Sequence, residues 1–148
     1  IPDFRINEKI FSIILSLRAK TQKTILLQTQ ESSRPMLNYA LRGDILSFYR
    51  EEVEERKMFG YPPFTVLVKI SWDARRENSS KEMLDMTGIF EGYAVRTYAT
   101  SYEGPRSSVR AHALIKLPRE SWVDEKLLRK LKVLSPKFVI SIDPESIL

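Results

Sequence analysis

Cysteine is absent from the 148 residues. Its absence excludes disulfide staples and thiolate metal sites, and it fits a reducing compartment such as the cytoplasm. A single histidine, His112, leaves no paired-imidazole metal centre. None of the five glycines opens a glycine-rich turn followed by Lys and Ser or Thr, so no phosphate-binding loop of that type is present. The longest apolar run, IFSIILSL at 10–17, is far too short to span a bilayer, and no membrane role is expected. No signal-peptide pattern opens the chain. The first residue is Ile1 rather than Met, which reads as a piece of a longer protein.

What is present is ordinary globular composition with a basic excess. Hydrophobic residues make up 43% and charged residues 29%, so a buried core is feasible and wholesale disorder is not expected. A formal net charge of +5 favours anionic partners, nucleic acid among them.

Residues 8–18 read as a helix that Asn7 can cap. Ile10, Phe11, Ile13, Ile14 and Leu17 cover most of its faces, the pattern of a helix buried in something larger. The continuous apolar centre of TILLQTQ, 24–30, predicts a strand buried on both faces. After a polar break at 31–35, a short helix is expected over 35–41, with Pro35 in its first turn. Gly43 interrupts it and Asp44 caps the next. Ile45, Phe48, Tyr49 and Val53 define the predicted buried stripe of that second helix. Its outer face carries the i,i+4 pairs Glu52/Arg56 and Arg50/Glu54. Gly60 ends it, and Pro62 and Pro63 force an extended exit.

Beyond Phe64 the period changes to two. In 65–72, Val66, Val68, Ile70 and Trp72 point one way; Thr65, Leu67, Lys69 and Ser71 point the other. Ser79 and Glu82 have capping-box spacing before a helix with Met83, Met86, Thr87 and Phe90 inside, closed by Gly92. Residues 94–102 are β-rich, and Gly104-Pro105 marks a turn. In 109–117, Val109, Ala111, Ala113 and Ile115 oppose Arg110, His112, Leu114 and Lys116. Ser121 and Asp124 set up another capping box before the stripe Val123, Leu127, Leu128, Leu131 and Leu134. KFVISID, 137–143, is the last strand, with Phe138, Ile140 and Ile142 on one face. The order β-α-β-β-α-β over 65–143 is the ferredoxin-like split β-α-β pattern. Both helices are expected on the Val66/Val109/Phe138 face of one antiparallel sheet.

Catalytic chemistry is poorly represented. His112 sits mid-strand without a sequence-evident partner and reads as a packed or surface strand residue rather than a general base. The carboxylates at 51, 52, 54 and 55 read as a solvated helix face. Arg129, Lys130 and Lys132 complement the dipole at the end of the last helix. Arg106, Arg110 and Lys116, in or beside the central hairpin, are the candidate phosphate-contacting residues, and alternation puts Arg110 and Lys116 on the helix-free sheet face. No aromatic pair matches the sheet-borne motif of RNA-binding domains.

Several islands resemble the C-terminal end of the PriA family of primosomal replication-restart helicases (primosomal protein N′). They are Asp3-Phe4-Arg5 with Glu8, then LLQT at 26–29. The most specific is Phe48, Glu52, Val53 and Arg56 followed by Tyr61-Pro62-Pro63-Phe64. Gly104-Pro105 with Arg110, and Ile142-Asp143-Pro144, complete the order. The resemblance implies that 1–34 close the second lobe of an α/β helicase, that 35–64 form a helical linker with a Pro-Pro turn, and that 65–148 form the C-terminal α+β domain. It implies branched-DNA binding and contact with single-strand-binding protein and primosome proteins; a monomer is expected. ATP, magnesium and structural zinc would be held upstream, so no cofactor is expected in this chain. One departure matters. Where the family has QxxGRxGR, residues 16–23 read SLRAKTQK, with Lys20 and Lys23 in place of arginines. Lysine keeps the charge but loses the bidentate fork that stabilises phosphoryl transfer. The expected role is therefore a non-enzymatic one: binding forked DNA through Arg106, Arg110 and Lys116. The alternative is a protein-interaction module that docks the helicase lobes or an acidic, apolar-ended tail of single-strand-binding protein. A small ligand-sensing domain ranks last, since it explains 65–143 but not the first 64 residues.

Overall fold

A computed structural model describes residues 3–31, 33–100 and 107–147. The chain divides into two compact units, Pro2–Phe59 and Gly60–Leu148.

The first unit contains three helices: α1 (Ile6–Lys20), α2 (Pro35–Arg42) and α3 (Ile45–Phe59). Their shared core is Phe11, Ile14, Met36, Leu37, Ala40 and Phe48. Phe11 and Phe48 stack with ring centres 3.9 Å apart. The helix α1 begins before Asn7, which lies inside it rather than capping it. Asp3 closes the first turn from further upstream, its carboxylate accepting from the Arg5 amide and its carbonyl from the Ile6 amide. Only Phe11 and Ile14 of α1 are buried, while Ile13 and Leu17 are exposed.

Residues 24–29 do not form the strand that their composition predicts. A strand needs neighbours for its backbone groups and apolar faces, and no strand is described in this unit for them to pair with. Leu26 is 93% exposed.

Helix α2 starts on Pro35, as expected, and Gly43 ends it in the left-handed region at φ 73°. A Cβ at Gly43 would also meet the Arg18 guanidinium. Asp44 caps α3, its Oδ1 accepting from the Ser47 amide at 3.0 Å; hydrogen bonding from the Ser47 side chain, then from its amide, holds the Asp44 carboxyl below the ordinary range. The buried stripe of α3 differs from the predicted one. Phe48 and Glu52 face inward, whereas Ile45, Tyr49 and Val53 are exposed. The apolar spacing fitted two neighbouring faces of α3, and packing of Phe48 on Phe11 selected the one that takes Glu52 inside.

The Glu52/Arg56 pair is therefore not on an outer face, and Glu52 is not part of a solvated carboxylate run. Arg56 donates from Nε to Glu52 Oε1 at 2.9 Å and from Nη2 to Glu8 Oε2 at 2.8 Å. Its guanidinium also lies 5.4 Å from the centre of the Phe4 ring. Burial raises the Glu52 carboxyl above its ordinary range, against the pull of Arg56.

The second unit is α+β. Its order is β1 (Thr65–Arg75), α4 (Ser79–Ile89), β2 (Val95–Thr100), β3 (Ser108–Pro118), α5 (Glu125–Lys132) and β4 (Val139–Ile142). The strands form one sheet in the order β2-β3-β1-β4, with antiparallel neighbours throughout. Helices α4 and α5 cover one face. Met86, Phe90, Leu127 and Leu131 close over Val66, Val68, Ile70, Trp72, Val109, Ala111, Ala113 and Ile115. Phe138 meets Trp72 edge to face at 5.5 Å, as its predicted face requires.

Two cap expectations change. Ser79 is the first residue of α4 and donates to the Arg76 carbonyl, so no capping box forms there. Ser121 lies in a one-turn 3-10 helix, Arg119–Ser121, and Asp124 caps α5 alone by accepting from the Leu127 amide at 2.8 Å. The turn at Gly104-Pro105 lies outside the described residues. No helix among the described residues is long and apolar enough to cross a membrane.

Two stability outcomes follow from the helical unit. Arg56→Met removes the guanidinium between Glu8 and the buried Glu52 and should cost roughly 2–4 kcal/mol in urea unfolding, with part recovered in Arg56→Met/Glu52→Gln. Gly43→Ala should cost about 1 kcal/mol through its left-handed backbone, and Gly43→Asn should cost less.

Candidate nucleic-acid interface

Alternation along β1 and β3 sends every second side chain away from α4 and α5. Cross-strand register brings Lys69 opposite Leu114, Ser71 opposite His112 and Asp73 opposite Arg110. On β2, Arg96 pairs with Leu114, Tyr98 with His112 and Thr100 with Arg110. This face therefore carries Lys69, Arg96, Arg110 and Lys116 together.

No described helix of this unit lies on the face, yet much of it is covered. Residues 143–147 turn back over it. Asp143, at φ 46°, exchanges two bonds with Leu67: its amide donates to the Leu67 carbonyl at 2.7 Å, and its Oδ1 accepts from the Leu67 amide at 2.9 Å. Lys69 Nζ donates to the Ser146 carbonyl at 3.2 Å, and the Tyr98 hydroxyl donates to the Ile147 carbonyl. Leu67 and Ile147 are fully buried, and Lys69 and Ser71 nearly so. Burial pushes the Tyr98 phenol up to about 12.

Arg110 and Lys116 share this face, as predicted, but do not form one patch. Six residues along a strand separate them by about 20 Å, with His112 and Leu114 buried in between. Arg110 donates to Asp73 Oδ1 at 2.7 Å and is one-third exposed. Lys116 Nζ sits 4.0 Å above the Tyr61 ring, and burial and then the charge of Arg96 lower its pKa. Arg106 lies outside the described residues.

Between β1, β2 and β3, His112 is held from both sides. Its Nδ1 is 2.9 Å from Ser71 Oγ and its Nε2 is 2.9 Å from Thr100 Oγ1. Tyr98 stacks on the ring at 5.0 Å. Burial, then the charges of Lys69 and Arg110, holds the imidazole down at about 4. An open pocket of about 510 Å³ lies here, its lining including Lys69, Ser71, Thr100, Arg110, His112 and Glu145. Sequence reasoning passed over Lys69 and Arg96, although alternation already placed Lys69 on the helix-free side. His112 gave no such signal, because its partners come from other strands.

Comparison with known proteins supplies the context. Over 164 aligned residues the chain is 29% identical to the replication restart protein PriA of Chlamydia pneumoniae, covering 97% of this chain and 21% of that protein. The PriA of Thermotoga maritima is 24% identical over 152 residues, covering 99% of this chain and 21% of its own length. The chain is a PriA-related segment. The PriA of Borreliella burgdorferi is 32% identical over 87 residues, or 55% of this chain and 13% of that protein. The chain thus spans about a fifth of the length of the PriA relatives it matches from end to end. No protein-family model matches it.

The PriA-like islands acquire locations. Phe4, Glu8, Glu52 and Arg56 converge in one cluster of the helical unit. Asp143 anchors the segment that crosses the sheet, and Arg119 Nη1 donates to its other oxygen at 3.4 Å.

The buried imidazole has a consequence for stability. Between pH 6.5 and 4 the unfolded chain binds a proton at His112 that the folded chain does not. This contribution is complete above pH 6.5 and is lost as pH falls towards 4. Urea unfolding at pH 7.5 and 5.5 should show a loss of ~1 kcal/mol that His112→Gln lacks.

Proposed function

We propose that this chain is the C-terminal portion of a PriA-like replication-restart protein and that it holds branched DNA, with the ATP chemistry supplied elsewhere. The carrying observation is the end-to-end likeness to PriA proteins. The shared face of Lys69, Arg96, Arg110 and Lys116 supports a role in meeting phosphate. The departure at 16–23 supports a non-enzymatic role, since Lys20 and Lys23 lack the fork of the family's arginines. ATP, magnesium and zinc belong to other parts of such a protein. Single-strand-binding protein and primosome proteins are its proposed partners, the cytoplasm its compartment, and a monomer its form.

One observation favours the second reading, a protein-interaction module. The segment that seats itself on the basic face contains Asp143, Glu145 and Ile147, so an acidic and apolar peptide suits this surface.

Fluorescence anisotropy with a labelled fork separates the two. Bound through three or four phosphates, the fork should give a slope of log affinity against log salt near roughly −3. Arg110→Gln and Arg96→Gln should each reduce that slope by about 1 and weaken all sequences alike. Absence of fork binding at low salt, with an acidic peptide still bound, would replace the first reading by the second.

A further inference from the structure

We propose that the pocket formed by Lys69, Ser71, Thr100, Arg110 and His112 is a phosphoryl-binding site. It deepens the DNA-binding reading, which it needs only for the source of the phosphoryl group.

The pocket sets two cations around two hydroxyls. Lys69 rises from the centre of β1 and Arg110 from the far end of β3. Arg110 has five N–H donors, and its bond to Asp73 uses one nitrogen of the fork. Planar guanidinium donors and a compact ammonium suit a tetrahedral oxyanion. The volume of about 510 Å³ admits more than a bridging water. Among the described residues, two carboxylates bear on the site. Asp73 is held by Arg110, and Glu145, exposed to solvent, lines the pocket. Lys69 and Arg110 are the charges that act on His112, and both act to keep it neutral.

A neutral imidazole donates at one nitrogen and accepts at the other. One of the Ser71 and Thr100 hydroxyls therefore spends its proton on the ring. An imidazolium donates at both nitrogens, to Ser71 Oγ and Thr100 Oγ1. Both hydroxyl protons then turn away from the ring and become available to an anion. The anion's charge offsets that of Lys69 and Arg110, so filling the pocket draws one proton from solvent onto His112. Phosphoryl affinity should accordingly rise as pH falls from about 6 towards 4.5.

The chain's single histidine makes the test direct. The Hε1 resonance of His112 is titrated in the whole chain with sodium chloride, and then with inorganic phosphate at equal ionic strength. The midpoint near 4 should move up by about one unit or more in phosphate and saturate with phosphate concentration. Arg110→Gln, at the pocket's edge, should weaken phosphate several-fold while the fold persists. Lys69→Gln should weaken it further, but if that variant fails to fold, Arg110→Gln decides alone. An unchanged midpoint, or a change that chloride reproduces, overturns the site. Two short oligonucleotides, one 5′-phosphorylated and one not, identify the source. A response to the first alone assigns a terminal monoester, and a response to both assigns the backbone diester. Fork binding with a silent His112 overturns this inference and leaves the DNA reading standing. A responsive His112 without fork binding supports the site and removes the DNA reading.

Discussion

Antiparallel pairing of β1 with β3 over all eleven residues of each strand sets the geometry of everything else in the α+β unit. A one-residue slip would exchange the two faces of the sheet. In the observed register Val66, Val68, Ile70 and Trp72 join Val109, Ala111, Ala113 and Ile115 under the two helices. The same register sets Lys69, Ser71 and Asp73 beside Leu114, His112 and Arg110 on the other side. The polar site is thus the reverse side of the core.

Much of the reverse side is buried, and among the described residues of this unit no helix lies on it. Among the described residues, 143–147 lie over it, pinned by Asp143 on Leu67 and by Ile147. Backbone and side-chain bonds do much of the holding, and so polar residues such as Lys69, Ser71 and His112 persist beneath the segment. Burying them requires partners. Lysine finds a carbonyl, the imidazole finds two hydroxyls, and the tyrosine hydroxyl finds another carbonyl.

In the helical unit the corresponding constraint is the charge cluster around Arg56. Residues more than forty positions apart in the chain meet there, Glu8 on α1 and Arg56 on α3. An ion pair of this kind adds little net stability over a well-packed apolar cluster. It does penalise other arrangements of α1 and α3, because each would leave Glu52 buried without its guanidinium. Four positions of the islands that suggested PriA, namely Phe4, Glu8, Glu52 and Arg56, therefore specify packing in this unit.

The sequence alone determined the periodicities: helix over 8–18, helix after Asp44, and the β-α-β-β-α-β order with Arg110 and Lys116 on one face. Those features depend on local propensity and alternation, which a linear chain expresses directly. Tertiary structure decided what depends on neighbours distant in the chain. Residues 24–29 have no described strand in their unit to pair with and form none. Packing of Phe11 on Phe48 turned Glu52 inward and left Ile45, Tyr49 and Val53 outside. The same dependence on distant partners closed the helix-free face beneath residues 143–147, set Arg110 on Asp73 and enclosed His112 between Ser71 and Thr100. Spacing reveals which face a residue occupies, but only the folded chain determines which groups meet there and at what charge.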